Sequence, residues 1–107
     1  MRKTRLGRAT DIPQAVKQAV WERDNHRCII CGHPNAAPNA HFISRAHLGR
    51  GIEENIVTLC TLFGNGCHHR FDNGSRVERE LMREEIRKYL KSKYPDWDEE
   101  KLVYRRD

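Results

Sequence analysis

The four cysteines of this 107-residue chain fall into two groups, Cys28-x2-Cys31 with Gly32 behind it, and Cys60 and Cys67, separated by six residues. Two thiolate pairs suit tetrahedral Zn2+, because each pair can place two sulfurs about 2.3 Å from one ion and the ion then ties distant segments together. Two disulfides are the competing use of the same residues. The longest uninterrupted apolar run is Cys28 to Cys31, far short of the ~18 residues of a bilayer span or the ~7 of a signal-peptide centre. The expected compartment is therefore a reducing cytoplasm, which favours zinc over disulfides. A redox C-x-x-C needs a thioredoxin-like context, and none surrounds Cys28. In a chain with so thin a core, structural zinc would contribute on the order of 10 kcal/mol to folding.

Histidines form the second group with chemistry. His41 lies between the cysteine groups, Asn55 follows it, and His68 comes directly after Cys67. Phosphodiester hydrolysis needs an activated water and neutralisation of charge on the phosphate and the leaving oxygen. An imidazole that titrates near neutrality can supply the first. Asp72 stands four residues after His68, so on a helix both side chains share one face and could share one cation. His69 points about 100° away and is the weaker ligand, suited instead to phosphate or solvent.

The segments Cys28-x2-Cys31-Gly32, Ala40-His41-Phe42-Ile43, Glu54-Asn55-Ile56-Val57-Thr58-Leu59-Cys60 and Cys67-His68, in that order, resemble the HNH endonuclease family in its variant with a zinc-binding cysteine quartet. The resemblance runs from about residue 12 to about residue 72. It implies a ββα-metal finger, in which two antiparallel strands and a helix grip one divalent cation, and DNA as the substrate. It also implies His41 as general base, Asn55 as the residue whose amide holds the intervening loop and orients the base, and His68 as a metal ligand. Mg2+ or Mn2+ would be the catalytic ion, at His68 and Asp72, with Zn2+ at the cysteines structural only. Many members of that family carry Asp or His immediately before the base, where this chain has Ala40. The ion would then rest on His68, Asp72, waters and substrate oxygens. A non-catalytic, zinc-stabilised nucleic-acid-binding module is the alternative reading that Ala40 keeps open. Proteins of this pattern resemble phage enzymes that work beside a packaging motor or in recombination, which implies the host cytoplasm and partners of that kind; a monomer that nicks one strand is the simplest species to expect.

Charge is consistent with a polyanionic partner. The chain has 20 Lys and Arg against 15 Asp and Glu, a formal net charge of +5. The excess is concentrated at the front: Arg2, Lys3, Arg5 and Arg8 all precede the first acid, Asp11. Residues 1–10 thus read as a basic, flexible arm, and 11–107 as one nuclease-like domain with its core motif at 28–72. Arg45, Arg50 and Arg70 surround the histidines in sequence and are candidates to hold phosphates, Arg45 first because it follows the base.

These residues must be positioned by a small α+β domain. Apolar spacing at Ile12, Val16, Ala19 and Val20 predicts a helix over 13–23, with Pro13 in its first turn. Asn25 to Asn39 reads as a turn followed by a loop. The stretches His41–Ser44 and Asn55–Leu59 have strand character and could pair as a hairpin. Cys67 to Asp72 has helical spacing, closed by Gly74. Ser75 and Glu78 form a capping-box pattern that opens a longer helix ending before Pro95, with Val77, Leu81, Met82, Ile86, Tyr89 and Leu90 as its apolar stripe. Its arginines and glutamates read as a salt-bridged, solvated face. A capped turn near Asp96–Glu100 and an extended Leu102–Tyr104 would pack back on the domain.

Overall fold

Thr4, Pro13 and Ser75 each cap a helix in the computed structural model, which describes residues 4–62 and 66–105. Thr4 Oγ1 accepts from the Gly7 N–H at 3.0 Å and opens helix α1, Arg5–Thr10. Half of the expected basic arm is therefore helical, and Thr10 at its end is buried. Arg2 and Lys3 lie outside the described residues. Helix α2 spans Gln14–Arg23, with Pro13 as its cap rather than its first helical residue.

The two strands are β1, Ala36–His41, and β2, Ile56–Cys60, paired antiparallel with Ala36 opposite Cys60 and His41 opposite Ile56. The sequence pattern predicts the first strand at His41–Ser44 and a loop up to Asn39, on the clustered Pro and Asn residues there. The register explains the difference. Pro38 and Asn39 together face Thr58 in a bulge between the pairs Ala37–Leu59 and Ala40–Val57, the one place inside a strand where proline is tolerated. The Thr58 backbone is satisfied outside the ladder, its N–H donating to Asp24 Oδ2 at 2.9 Å and its carbonyl accepting from the Ile29 N–H at 3.0 Å. Past His41 one more backbone bond forms, from the Phe42 N–H to the Asn55 carbonyl at 2.7 Å, and the ladder then ends, since Ile43 bonds the side chain of Asn55.

Helices α3, Cys67–Asn73, and α4, Arg76–Lys93, follow β2. Ser75 Oγ accepts from the Glu78 N–H at 3.1 Å, which is one half of the expected capping box. The core comprises Phe42, Val57, Leu59, Ile86, Leu90 and Leu102, all buried, with Trp97 packed edge-on against Phe42 at 5.7 Å. Each such side chain contributes about 1.5–3 kcal/mol by leaving water. Val77 and Leu81 do not belong to this face: they are 69% and 66% exposed. At about 100° per residue they sit roughly 180° and 140° around α4 from Ile86, whereas Met82 and Leu90 sit within about 40° of it.

An interior polar network, not anticipated from the sequence, joins the elements. Arg23 donates to the carbonyls of Glu53 (2.8 Å) and Ile56 (2.7 Å), to Tyr94 Oη (3.0 Å) and to Asp24. Asp24 also accepts from the Tyr89 hydroxyl at 2.5 Å. Burial, reinforced by the Asp24 carboxylate, pushes the Tyr89 phenol up, so it stays a donor. At the far end a 3-10 turn, Glu99–Leu102, is capped by Asp98, and Val103 bridges to Gly49. Among the described residues no helix is long and apolar enough to cross a membrane.

Candidate metal centre and active site

The turn after α2, the end of β2 and the start of α3 bring the four cysteines together. Their sulfurs all lie within 4.8 Å of one another, and Cys31 Sγ is 3.6 Å from Cys60 Sγ. Tetrahedral zinc with bonds of about 2.3 Å requires sulfur separations of about 3.8 Å, so the set fits one Zn2+. None of the four is in a disulfide, and 3.6 Å is far beyond the roughly 2.05 Å of an S–S bond. Gly32 makes the first turn possible: its φ of +80° lets the Gly32 N–H return to the Cys28 carbonyl at 2.9 Å.

Four thiolates around Zn2+ leave two net negative charges, and donors stand ready to offset them. The Cys67 N–H donates to Cys60 Sγ at 3.0 Å, the Cys31 N–H to Cys28 Sγ at 3.5 Å, and Arg70 Nη2 to Cys67 Sγ at 3.2 Å. Burial pushes the Cys67 thiol up, so a bound metal must displace its proton, and affinity falls as pH falls.

Beside this centre, His41, His68 and Asp72 line one cleft of about 620 Å3, together with Asp11, Lys17, Asn39, Ser44 and Arg45. His41 closes β1, and strand alternation turns it into the cleft while Ala40, 1% exposed, faces the core. Asn39 is the other β1 side chain in the cleft. His41 Nε2 is 2.8 Å from the Thr10 carbonyl. A carbonyl only accepts, so Nε2 carries the hydrogen and Nδ1 has the free lone pair. Burial lowers the His41 pKa below its ordinary value near 6.5, and the charges of Arg45 and His68 lower it further, against the pull of the Thr10 carbonyl and Asp11. The net effect favours the neutral ring.

His68 Nε2 and Asp72 Oδ2 are 3.4 Å apart, one turn of α3 from each other. Adjacent ligands of a six-coordinate Mg2+ stand about 3.0 Å apart, so the two fit a shared cation with a small side-chain adjustment.

Asn55 is wholly buried and clamps the loop between the strands. Its Oδ1 accepts from the Ile43 N–H (2.8 Å), and its Nδ2 donates to the carbonyls of Ile43 (3.1 Å) and Arg50 (2.9 Å). Gly49 is needed where this loop folds on itself, because a Cβ there would lie 1.7 Å from the Ile43 carbonyl oxygen.

The basic candidates separate. Arg45 lines the cleft but is ion-paired to Asp11 at 2.6 Å. Arg50 lines a different, 830 Å3 depression beside the C-terminal segment. Arg70 is not in the cleft and stands against the Cys67 sulfur and Glu78. His69 is exposed, with Nδ1 3.5 Å from Asn73, and lines neither surface. Sequence reasoning missed Lys17, Asn39, Ser44 and the Thr10 carbonyl. Lys17 and Thr10 carried no signal because they reach the cleft only where α2 and α1 meet the strand end, and Asn39 and Ser44 because their positions depend on where β1 begins and ends.

No family model, curated protein or solved structure matches the chain.

Proposed function

We propose that this chain is a metal-dependent DNA endonuclease of the HNH type, built on a structural zinc centre. The observation that carries the reading is the single cleft shared by His41, His68 and Asp72. His41 Nδ1, neutral and held by the Thr10 carbonyl through the opposite ring nitrogen, takes a proton from water. That water attacks phosphorus in line, the bond to the 3′ oxygen breaks with its electron pair leaving on that oxygen, which takes a proton from solvent, and a 5′ phosphate and a 3′ hydroxyl result. His68 and Asp72 would hold Mg2+ or Mn2+, whose charge offsets that building on the phosphoryl and leaving oxygens. Asn55 acts at a distance, fixing the loop that follows His41. Binding rests on contacts to the DNA backbone and is weakly sequence-specific.

Supercoiled plasmid incubated with the zinc-loaded protein and Mg2+ or Mn2+ tests this directly. Nicking that requires the added ion and vanishes in His41→Ala, with zinc content unchanged, is the expected result. Binding to DNA without nicking in any divalent ion would replace this reading by the alternative of a zinc-stabilised binding module, which Ala40 favours.

A further inference from the structure

We infer that Lys17 on α2 and Arg79 on α4 hold the phosphates on either side of the cut bond, so that the substrate strand crosses the site from α2 to α4. The inference rests on the nuclease reading above and names the residues that seat its substrate.

His41, Ser44 and Asp72 form a wall common to two clefts. One is the 620 Å3 cleft that holds Lys17. The other, about 500 Å3, adjoins it along those three residues and holds Arg79. A phosphate reached by His41 therefore has two adjoining clefts open to it, room that a continuing polymer requires and a small phosphoester does not.

The cations along these clefts are mostly committed. Arg45 is paired with Asp11. Arg83 donates to the Phe42 carbonyl at 3.1 Å and lies over the rings of Phe42 and Phe71. His47 Nδ1 is 2.8 Å from Ser44 Oγ. Lys17 and Arg79 alone, among the described basic residues lining the two clefts, have charged ends with no hydrogen bond or ion pair to the protein. One stands in each cleft, on helices that approach the wall from different parts of the fold. A cation with no partner and access to a groove is available to a phosphate without first breaking an ion pair. The arginines of α4 thus have different roles: Arg87 is bonded to Glu84 and Glu99, whereas Arg79 faces the groove.

The test is the salt dependence of binding to a fluorescent random-sequence 20-base-pair duplex, measured for the zinc-loaded protein without added Mg2+ or Mn2+. Lys17→Ala and Arg79→Ala should each reduce the slope of log Kd against log salt by about 0.9, one phosphate contact apiece, and the double variant by the sum. Arg76→Ala, which removes an α4 arginine that lines neither cleft, should leave the slope unchanged. Wild-type protein that binds and nicks DNA while both cleft variants keep the wild-type slope would overturn this inference and leave the nuclease reading intact. Loss of slope in Arg76→Ala equal to that in Arg79→Ala would also overturn it, since the contact would then be general charge. Zinc-loaded wild type that neither binds nor nicks would remove the nuclease reading itself, and this inference with it.

Discussion

Truncating Asn55 to alanine should cost about 3 kcal/mol of stability. The side chain is wholly buried and makes three hydrogen bonds, one accepted from the Ile43 N–H and two donated to the Ile43 and Arg50 carbonyls. At about 1 kcal/mol each, and more for any group that water cannot reach, their loss sums to about 3 kcal/mol. With a urea slope of about 2 kcal/mol per molar, the unfolding midpoint moves down by about 1.5 M. Tryptophan fluorescence at saturating zinc is a suitable readout, because Trp97 donates to the carbonyl of Glu54, next in sequence to the mutated residue. Asn55→Asp sharpens the test. It keeps the acceptor for Ile43 N–H but turns the donor that faces two carbonyls into an oxygen, so it should destabilise more than alanine does. A loss under about 1 kcal/mol in Asn55→Ala, or an aspartate milder than the alanine, would show that other contacts hold the loop.

Three further outcomes are expected. Arg70→Ala, which strips the guanidinium from Cys67 Sγ, should weaken zinc binding by about 10- to 100-fold in competition with a chromophoric chelator; unchanged affinity would return Arg70 to plain surface charge. Asp24→Ala should destabilise by about 3–5 kcal/mol, because it leaves the largely buried Arg23 without its carboxylate and Thr58 N–H without an acceptor; a midpoint within about 0.5 M of wild type in urea would contradict that. For nicking, protonated His41 cannot accept a proton, so kcat/KM should fall on the acid side. Because burial lowers the folded pKa, the half-maximal point should lie below pH 6.5, and a limb centred above 6.5 would contradict the assigned environment.

What could be read in the sequence was mostly what local chemistry fixes. Cysteine spacing led to the metal centre because a tetrahedral ion restricts its ligands to a few arrangements, and Ser75 gave the start of α4 because a cap acts within one turn. The i, i+4 relation of His68 and Asp72 placed them together once α3 was a helix. What escaped was set by contacts distant in sequence. The Thr10 carbonyl has no side-chain signature, and it reaches His41 only because α1 folds over the strand end. The Pro and Asn residues of 34–39 read as a loop, yet a bulge absorbs Pro38 within β1. Arg70, close to His68 in sequence, serves the cysteine cluster instead, because it projects from α3 toward Cys67. Val77 and Leu81 were assigned to the buried stripe on their apolar character, although the angular position of Ile86 places them on the opposite side.

The central claim is that His41 works with His68 as one unit on one phosphate. Nicking rates of zinc-loaded wild type, His41→Ala, His68→Ala and the double variant, in saturating Mn2+, measure it most directly. Groups that act together lose their effect together, so the double variant should be no slower than the slower single variant. Rate losses that multiply across the two sites, or a His41→Ala protein that nicks at the wild-type rate, would contradict the account.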